Sequence, residues 1–183
     1  MKAIYIIRHC AASGQEPDAE LTETGMAQAV ALSGFLSEAG IERIISSPYT
    51  RAVQSIEPSA EILAIEIETD ERLKERVLST GDLPDWLEQL KSTFDDHALT
   101  LEGGESSQQA LDRISQVVEE LKNNGSQTAA IVTHGNIMAL LLSRYMEGFG
   151  FEGWRSLSNP DVFILNEGDG EKECKRLWNE TIR

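Results

Sequence analysis

The stretch Ile4-Tyr5-Ile6-Ile7-Arg8-His9-Cys10 decides how the fold is interpreted. Its apolar part is short and rich in isoleucine, which is typical of a buried strand in a parallel sheet. Open α/β sheets place their chemical groups just beyond the carboxyl ends of the strands. Arg8 and His9 come at that position, where they offer a fixed cation beside a side chain that can act as nucleophile, base or ligand. The stretch therefore predicts a functional site at the end of the first strand.

The composition is that of a globular protein, and the charge limits its partners. The 183 residues fit one domain, and a hydrophobic content of 40% with 26% charged residues is ordinary. A formal net charge of −15 opposes binding to nucleic acid or to an anionic membrane surface, because both need a basic patch. A site for an anionic small molecule must then concentrate positive groups locally, so each arginine or histidine at a strand end is informative.

The cysteines and the N-terminus favour a cytoplasmic location. Cys10 and Cys174 do not make a disulfide framework, so we expect two reduced thiols. The chain enters a strand directly after Lys2, without the cleavage site of a secretion signal, and no apolar stretch is long enough to span a bilayer. We expect no membrane partner.

Strands and helices alternate along most of the chain. Further strands are predicted at 41–46, 65–67 and 128–133, and helices at 23–39 after a Thr22 cap and at 137–146. Another helix is expected to open with Ser47 as cap and Pro48 at its first position, which places Arg51 in the first turn. The face predicted for the 23–39 helix is Met26, Ala29, Val30, Ser33 and Leu36.

The second half of the chain carries an amphipathic helix and a closing hairpin. The helix is expected to begin at Ser106 or Ser107 and to stop at Asn123-Asn124-Gly125. Its predicted buried face is Ala110, Leu111, Ile114, Val117, Val118 and Leu121. The hairpin joins 162–166 to 172–178 through Gly168-Asp169-Gly170. Together the elements predict one α/β domain over residues 1–183.

The pattern breaks down between about residues 70 and 104. Pro84 starts a short predicted helix that carries Trp86, Leu87, Leu90 and Phe94. We interpret this segment as a small lid insertion folded over the strand ends. The alternative is a helix that covers the edge of the sheet.

Four basic groups follow the predicted strands. Arg8 and His9 end the first strand, Arg51 lies just past the second, and His134 follows the strand at 128–133. Because the carboxyl ends of neighbouring parallel strands share one rim, all four are expected to meet. Two guanidiniums, two imidazoles and helix N-termini suit a tetrahedral dianion, phosphate above all.

On these residues the sequence resembles the histidine phosphatase superfamily, the phosphoglycerate-mutase-like proteins, over nearly the whole chain. The segments that carry the resemblance occur in the family's order: Arg8-His9-Cys10, Leu21-Thr22-x-x-Gly25-x-x-Gln28-Ala29, Ser46-Ser47-Pro48-x-x-Arg51-Ala52, Arg72-Leu73-Lys74-Glu75, Gly104-Glu105-Ser106 and Val132-Thr133-His134-Gly135. The resemblance implies a three-layer α/β/α sandwich around a mostly parallel sheet with a C-terminal hairpin.

The resemblance also implies a metal-independent phosphatase that needs no cofactor. His9 would attack phosphorus and form a phosphohistidine, which water then hydrolyses. Arg8, Arg51 and His134 would hold the phosphoryl oxygens, with Gln15 as a further donor. Glu75 would give a proton to the leaving alkoxide and later take one from water. The implied catalytic residues are thus His9, Glu75 and His134, and the substrate is a phosphorylated small molecule.

The sequence departs from the family pattern beside the nucleophile. Cys10 replaces the usual glycine, and Ala12 replaces a hydroxyl residue, while Gln15 keeps an amide where asparagine is usual. Three further carboxylates rival Glu75 as the acid, namely Glu71, Glu102 and Glu105. Glu105 ranks second, with an alternative role of holding Arg8 or a loop in place.

Other functions stay open at this point. A mutase would move phosphate between hydroxyls, and a noncatalytic domain would only bind phosphate for regulation. A metalloprotein using His9, Cys10, His97 and His134 is disfavoured, because two adjacent residues at a strand end do not easily face one metal. The hairpin with Phe163, Leu177 and Trp178 is expected either to cover a sheet edge or to form a homodimer contact.

Overall fold

The structure is a computed structural model that describes residues 2–123, 127–168 and 171–178. The strands are β1 (Lys2–Arg8), β2 (Arg43–Ser46), β3 (Ile67–Thr69), β4 (Thr128–Thr133), β5 (Asp161–Gly168) and β6 (Glu171–Arg176). The helices are α1 (Glu23–Leu36), α2 (Thr50–Leu63), α3 (Trp86–Asp95), α4 (Ser107–Asn123), α5 (Gly135–Ser143) and α6 (Phe151–Arg155). One turn of 3₁₀ helix covers Glu71–Leu73.

The six strands form one sheet in the order β3-β2-β4-β1-β5-β6. Strands β1 to β4 are parallel, whereas β5 runs antiparallel to β1 and β6 antiparallel to β5. The register pairs Arg8 with Thr133, so that His9 and His134 follow two neighbouring strands at the same level. Ser46 pairs with Val132, which places Ser47 beside them. The predicted α/β fold with a mostly parallel sheet and a C-terminal hairpin is confirmed.

Successive residues of a strand point to opposite sides of the sheet, and helices cover both sides. Ile6 packs into a core with residues of α4 and α5, and the adjacent Ile7 packs into a second core with residues of α1 and α2. Phe163 belongs to the first core and Trp178 to the second, and both are almost fully buried. The three layers that the resemblance implied are therefore present.

Helix α1 confirms the predicted cap, and it confirms the predicted face for Ala29, Ser33 and Leu36 only. The Thr22 hydroxyl accepts the Gly25 N–H at 3.0 Å, as an N-cap should. Met26 and Val30, which were expected inside, are 59% and 64% exposed. The buried side consists of Gly25, Ala29, Leu32, Ser33 and Leu36. The helix is apolar or small on most sides, so periodicity alone did not define its inner face.

Helix α2 starts later than predicted. Its N-cap is Tyr49, and Pro48 lies before the helix. The Ser47 hydroxyl accepts the Tyr49 N–H at 3.3 Å and lies 2.8 Å from a ring nitrogen of His134. Arg51 is nevertheless in the first turn, as predicted. The chain leaves α2 through Ala64 in the left-handed conformation, which moves β3 to Ile67–Thr69 from the predicted 65–67.

The helices of the second half are closer to prediction. All six residues expected on the inner face of α4 are buried. Helix α5 begins at Gly135, directly after His134, and ends at Ser143 rather than 146, and α6 was not predicted. Asn124-Gly125 and the turn residues Asp169-Gly170 lie outside the described residues.

The segment expected to be a lid contains the 3₁₀ turn and α3. Leu90 is buried, and Phe94 contacts Phe151 with ring centroids 6.1 Å apart. Trp86 is half exposed and meets Trp154 edge to face. Helix α3 is thus packed by one side against the core and α6, and its role as a lid stays a prediction. No helix in the described part of the chain is long and apolar enough to cross a membrane.

Candidate active site

His9 is held as a neutral imidazole at the end of β1. Its Nδ1 lies 2.7 Å from the Cys10 carbonyl oxygen, and since a carbonyl can only accept, Nδ1 carries the proton and Nε2 a lone pair. Burial lowers the pKa of His9 to about 3, with the charges of Arg8 and Arg51 acting in the same direction. The ring therefore offers an unprotonated nitrogen at neutral pH.

Arg51 reaches this nitrogen from the first turn of α2. Its Nε donates to His9 Nε2 at 3.3 Å, and its Nη1 donates to the carbonyls of Gln15 and Glu16 at 3.1 and 2.7 Å. The side chain is fully buried, and burial lowers its pKa. Arg51 thus joins the loop after β1 to the candidate nucleophile.

Arg8 lies on the other side, against the start of α5. Its Nη1 donates to the carbonyls of Leu157 and Ser158 at 3.1 and 3.3 Å. Its Nε is buried and has no hydrogen-bond partner among the described residues. A Cβ on Gly135 would come within 3.1 Å of the guanidinium, so only glycine leaves Arg8 its full space.

His134 completes the basic cluster. Its ring centroid is 5.1 Å from that of His9 and 5.0 Å from that of Tyr49. Nε2 bonds the Ser47 hydroxyl, while the buried Nδ1 has no partner in the described part of the chain. Burial lowers the pKa of His134 well below its usual value, and the neighbouring His9 and arginines lower it further. The structure thus brings Arg8, His9, Arg51 and His134 together.

Glu75 is the carboxylate that joins this cluster. Its Oε1 accepts the Ile137 and Arg76 N–H groups at 3.0 and 2.8 Å, and its Oε2 accepts the Asn136 N–H at 3.0 Å. It therefore sits at the positive end of α5, one turn from His134. Its charge also raises the pKa of Arg8 and Arg51 against the effect of burial.

None of the three rival carboxylates has a described contact with the basic cluster. Glu105 forms an ion pair with Arg113, and Glu71 forms one with Lys74. Glu102 is exposed on the loop before α4, where its carbonyl accepts the Thr80 N–H. The alternative that Glu105 holds a loop agrees with its contacts, whereas no hydrogen bond to Arg8 is found among the described residues.

The loop after β1 contacts the cluster through its backbone. The Gln15 side chain is exposed, and it is the Gln15 carbonyl that accepts from Arg51. A role of the Gln15 amide in holding phosphate stays a prediction. Ala12 pairs with Leu21 in an isolated bridge. The Cys10 side chain is fully buried, and burial raises the pKa of its thiol to about 12, so it packs as a small apolar group.

Sequence reasoning missed the residues that hold the cluster in place. Ser47 binds His134, Ser55 Oγ accepts the Cys10 N–H at 2.8 Å, and Asn159 Nδ2 donates to the His9 carbonyl at 2.7 Å. Ser47 had a signal, because it precedes α2, but it was interpreted as a helix cap. Asn159 lies in an irregular stretch 150 residues from His9 in sequence, so no local pattern could have found it.

Within the described ranges, no group of three or more His, Cys, Asp or Glu side chains is arranged to hold a metal ion. The arrangement is one of cations and neutral imidazoles around a carboxylate. Such a site can bind a tetrahedral anion and offers it a nucleophilic nitrogen and a proton carrier.

The sequence model of the histidine phosphatase superfamily (branch 1) matches residues 4–180. The chain belongs to the histidine phosphatase superfamily. The resemblance stated from the motifs is thereby confirmed, and it extends over almost the full length.

Similar proteins come from several organisms. A curated protein of Hydrogenobacter thermophilus, named "Putative phosphoserine phosphatase 2", is 28% identical, and the match covers 98% of this chain and 96% of that protein. A phosphoserine phosphatase of Entamoeba histolytica, solved with 3-phosphoglyceric acid, is 20% identical with a TM-score of 0.80 and full coverage of both chains. A mycobacterial glucosyl-3-phosphoglycerate phosphatase, solved with inorganic phosphate, is 23% identical with a TM-score of 0.78, covering 100% and 99% of the two chains. The solved structures support the fold.

Proposed function

We propose that this protein is a metal-independent phosphoric monoester hydrolase that works through a phosphohistidine on His9. The observation that carries the proposal is the neutral His9 ring, whose Nε2 holds a lone pair beside Arg51 while Nδ1 is fixed on the Cys10 carbonyl. A nucleophile must be unprotonated at the attacking atom, and this environment keeps it so. The residues of the cluster supply the remaining functions.

The first step transfers the phosphoryl group to His9. Arg51 Nε transfers its hydrogen bond from His9 Nε2 to a phosphoryl oxygen, which frees the Nε2 lone pair. Nε2 then attacks phosphorus, a P–N bond forms, and the P–O bond to the leaving group breaks as Glu75 gives that oxygen a proton. Oε2 of Glu75 accepts only one N–H among the described contacts, which leaves a lone pair for that proton. Arg8, Arg51 and His134 hold the other phosphoryl oxygens and balance their charge.

The second step returns His9 to its free form. Water attacks phosphorus and gives a proton to the Glu75 carboxylate, while the P–N bond breaks and its electron pair returns to Nε2. Inorganic phosphate leaves. Glu75 thus acts as acid in one step and as base in the other.

The proposed substrates are phosphate esters of small, carboxylate-bearing hydroxy compounds such as phosphoserine or phosphoglycerate. The support is the naming of the Hydrogenobacter thermophilus and Entamoeba histolytica relatives, and of the mycobacterial one for a glycosylated phosphoglycerate. All three are named as phosphatases, which favours hydrolysis over transfer to a second hydroxyl.

The proposal includes a cytoplasmic location, which the two free cysteines Cys10 and Cys174 support. It includes neither nucleic acid nor membrane as partner, because of the net charge of −15. We also retain the single domain with a lid at about 70–104 as part of it. A homodimer stays a prediction, but Phe163 and Trp178 are buried in this chain's own cores and are not free for such a contact.

The test is hydrolysis of p-nitrophenyl phosphate in excess EDTA by the wild type and by His9→Ala, with His97→Ala as the matched histidine control. We expect full activity of the wild type and the control, and loss of turnover in His9→Ala. A panel of phosphorylated metabolites follows. Loss of wild-type activity in EDTA, or turnover retained by His9→Ala, would overturn the proposal.

A further inference from the structure

Arg113, on the inner side of α4, contacts the backbone that leads to Glu75. Its Nη1 donates to the carbonyl of Arg72 at 2.6 Å and to that of Lys74 at 2.7 Å. After the 3₁₀ turn ends at Leu73, this backbone has no regular structure of its own. Arg113 therefore supplies contacts that neither a helix nor a strand provides here.

Glu105 holds Arg113 in this orientation. The carboxylate accepts from Arg113 Nε at 2.7 Å and from Nη2 at 2.8 Å, a two-pronged ion pair with both side chains mostly buried. The planar guanidinium fork fixes such a pair geometrically. The remaining nitrogen of the fork, Nη1, is then directed to the two carbonyls.

Glu105 also reaches the other flank of Glu75. Its carbonyl oxygen accepts from Arg76 Nε at 3.0 Å, and Arg76 Nη1 donates to Thr93 Oγ1 at 2.8 Å. The residues before and after Glu75 are thus both tied, directly or through Arg113, to Glu105. Thr133 adds a bond from the sheet, because its hydroxyl donates to the Leu73 carbonyl at 2.7 Å.

We propose that Arg113 and Glu105 form a clamp that positions the Glu75 carboxyl group for proton transfer. The proposal rests on the proposed function, in which Glu75 protonates the leaving oxygen. A general acid must lie within hydrogen-bond reach of the atom that it protonates, and displacement by about 1 Å can cost about 10²-fold in rate. Arg113 and Glu105 are positioning residues and touch no reacting atom.

The clamp has a chemical signature, which is its dependence on the leaving group. A 4-nitrophenolate leaves readily without a proton. Unsubstituted phenolate is more basic, so its departure depends more strongly on protonation by the general acid. Displacement of Glu75 therefore slows the hydrolysis of phenyl phosphate more than the hydrolysis of 4-nitrophenyl phosphate. Loss of general stability or of phosphate binding would slow both substrates alike.

The experiment measures kcat/KM for 4-nitrophenyl and phenyl phosphate in the wild type, Arg113→Gln, Glu105→Gln and Glu75→Gln. We expect each variant to lose about tenfold or more on phenyl phosphate and less than about threefold on 4-nitrophenyl phosphate, with the largest difference in Glu75→Gln. The matched control is Arg144→Gln, since Arg144 also binds α4, through Ser115 Oγ at 2.9 Å, but has no described bond to the Glu75 segment. Arg144→Gln should leave the ratio of the kcat/KM values for the two substrates unchanged.

The outcomes separate the clamp from the function. A selective loss in Glu75→Gln together with equal losses on both substrates in Arg113→Gln and Glu105→Gln overturns the clamp and leaves the function standing. Equal losses in Glu75→Gln itself overturn Glu75 as the acid, and the clamp with it. Thermal unfolding checks that each variant is folded, and Arg113→Lys, which keeps the charge without the fork, replaces Arg113→Gln if that variant is unfolded.

Discussion

Arg8 and His134 each bury a hydrogen-bonding atom that has no partner among the described residues, Nε in the first and Nδ1 in the second. An unsatisfied buried polar atom costs about 1–3 kcal/mol, so the fold tolerates a measurable penalty at this point. The Ser47 hydroxyl accepts the Tyr49 N–H and can donate to His134 Nε2, which leaves the ring proton on Nδ1. Both atoms without a partner then carry a hydrogen. A phosphate dianion would accept the hydrogen bonds that these two donors can make.

The position of Arg8 depends on the absence of a side chain at Gly135. In Gly135→Ala the new Cβ lies 3.1 Å from the guanidinium, which must shift by a few tenths of an ångström. Because the helix itself accepts alanine, we expect little change in stability but a fall of about tenfold in kcat/KM. The control is Gly34→Ala in α1, where a Cβ meets nothing within 4 Å. Steady-state kinetics in which both variants match the wild type would contradict this role of Gly135.

The elements bring the site together through the loop between α6 and β5. The carbonyls of Leu157 and Ser158 accept from Arg8, and Asn159 binds the His9 backbone. This loop is held by Asp161, which is fully buried at the start of β5 and accepts the Ser158 N–H at 2.9 Å. Arg176 of β6 donates to both Asp161 oxygens and to the Ser156 carbonyl. Through Arg176 and Asp161, the closing hairpin therefore holds the loop that contacts Arg8 and His9 at the end of β1.

Removal of the Asp161 charge tests this support. We expect Asp161→Asn to lower the free energy of unfolding by about 2–3 kcal/mol, because it leaves the charge of the partly exposed Arg176 without its buried carboxylate partner. Glu68→Gln is the comparison, since Arg43 and Glu68 form the same two-pronged pair on the exposed sheet edge. That change should cost less than about 1 kcal/mol. Denaturant unfolding measures both, and equal losses would count against a special role of Asp161.

The same elements explain how much of the structure the sequence could predict. Strand β4 and the buried face of α4 were predicted correctly, because six inward residues of α4 repeat at helical spacing and the strand is apolar between its terminal threonines. The four basic side chains were found because each ends a strand, directly follows one or lies in the first turn of a helix. Each of these signals lies within a short stretch of sequence.

The errors arose where a local pattern in the sequence does not reveal the contact that decides the structure. In helix α1 the prediction placed Met26 and Val30 inside and missed Leu32, because apolar residues occur on most sides of this helix and do not mark one face. A hydroxyl residue before a helix usually predicts a cap, but the Ser47 hydroxyl accepts the Tyr49 N–H ahead of α2 and binds His134 of the site. The roles of Asn159 and Arg113 depend on contacts that join distant segments, and no spacing in one sequence encodes these.

At the scale of the whole molecule, charge and buried histidines act on stability in opposite directions as pH falls. The net charge of −15 makes the native state repel itself, and protonation of surface carboxylates relieves that repulsion. His9 and His134 oppose this, because burial lowers the pKa of both rings in the folded protein. Their contribution is therefore seen only by comparison with variants that lack them.

The direction of the pH dependence follows from the number of protons that His9 binds in the folded and the unfolded protein. With a pKa of about 3 when folded and about 6.5 when unfolded, His9 takes up a proton only on unfolding between these values, so its contribution to stability falls as pH falls. From pH 7 to pH 5 we expect the wild type to lose about 2 kcal/mol more unfolding free energy than His9→Gln. His134→Gln should differ from the wild type in the same direction. Ser55→Ala removes a buried hydrogen bond beside His9 but no such titrating ring, and should lower the whole curve by a constant. Denaturant unfolding across this range gives the curves, and parallel curves for the wild type and His9→Gln would show that His9 is not held neutral.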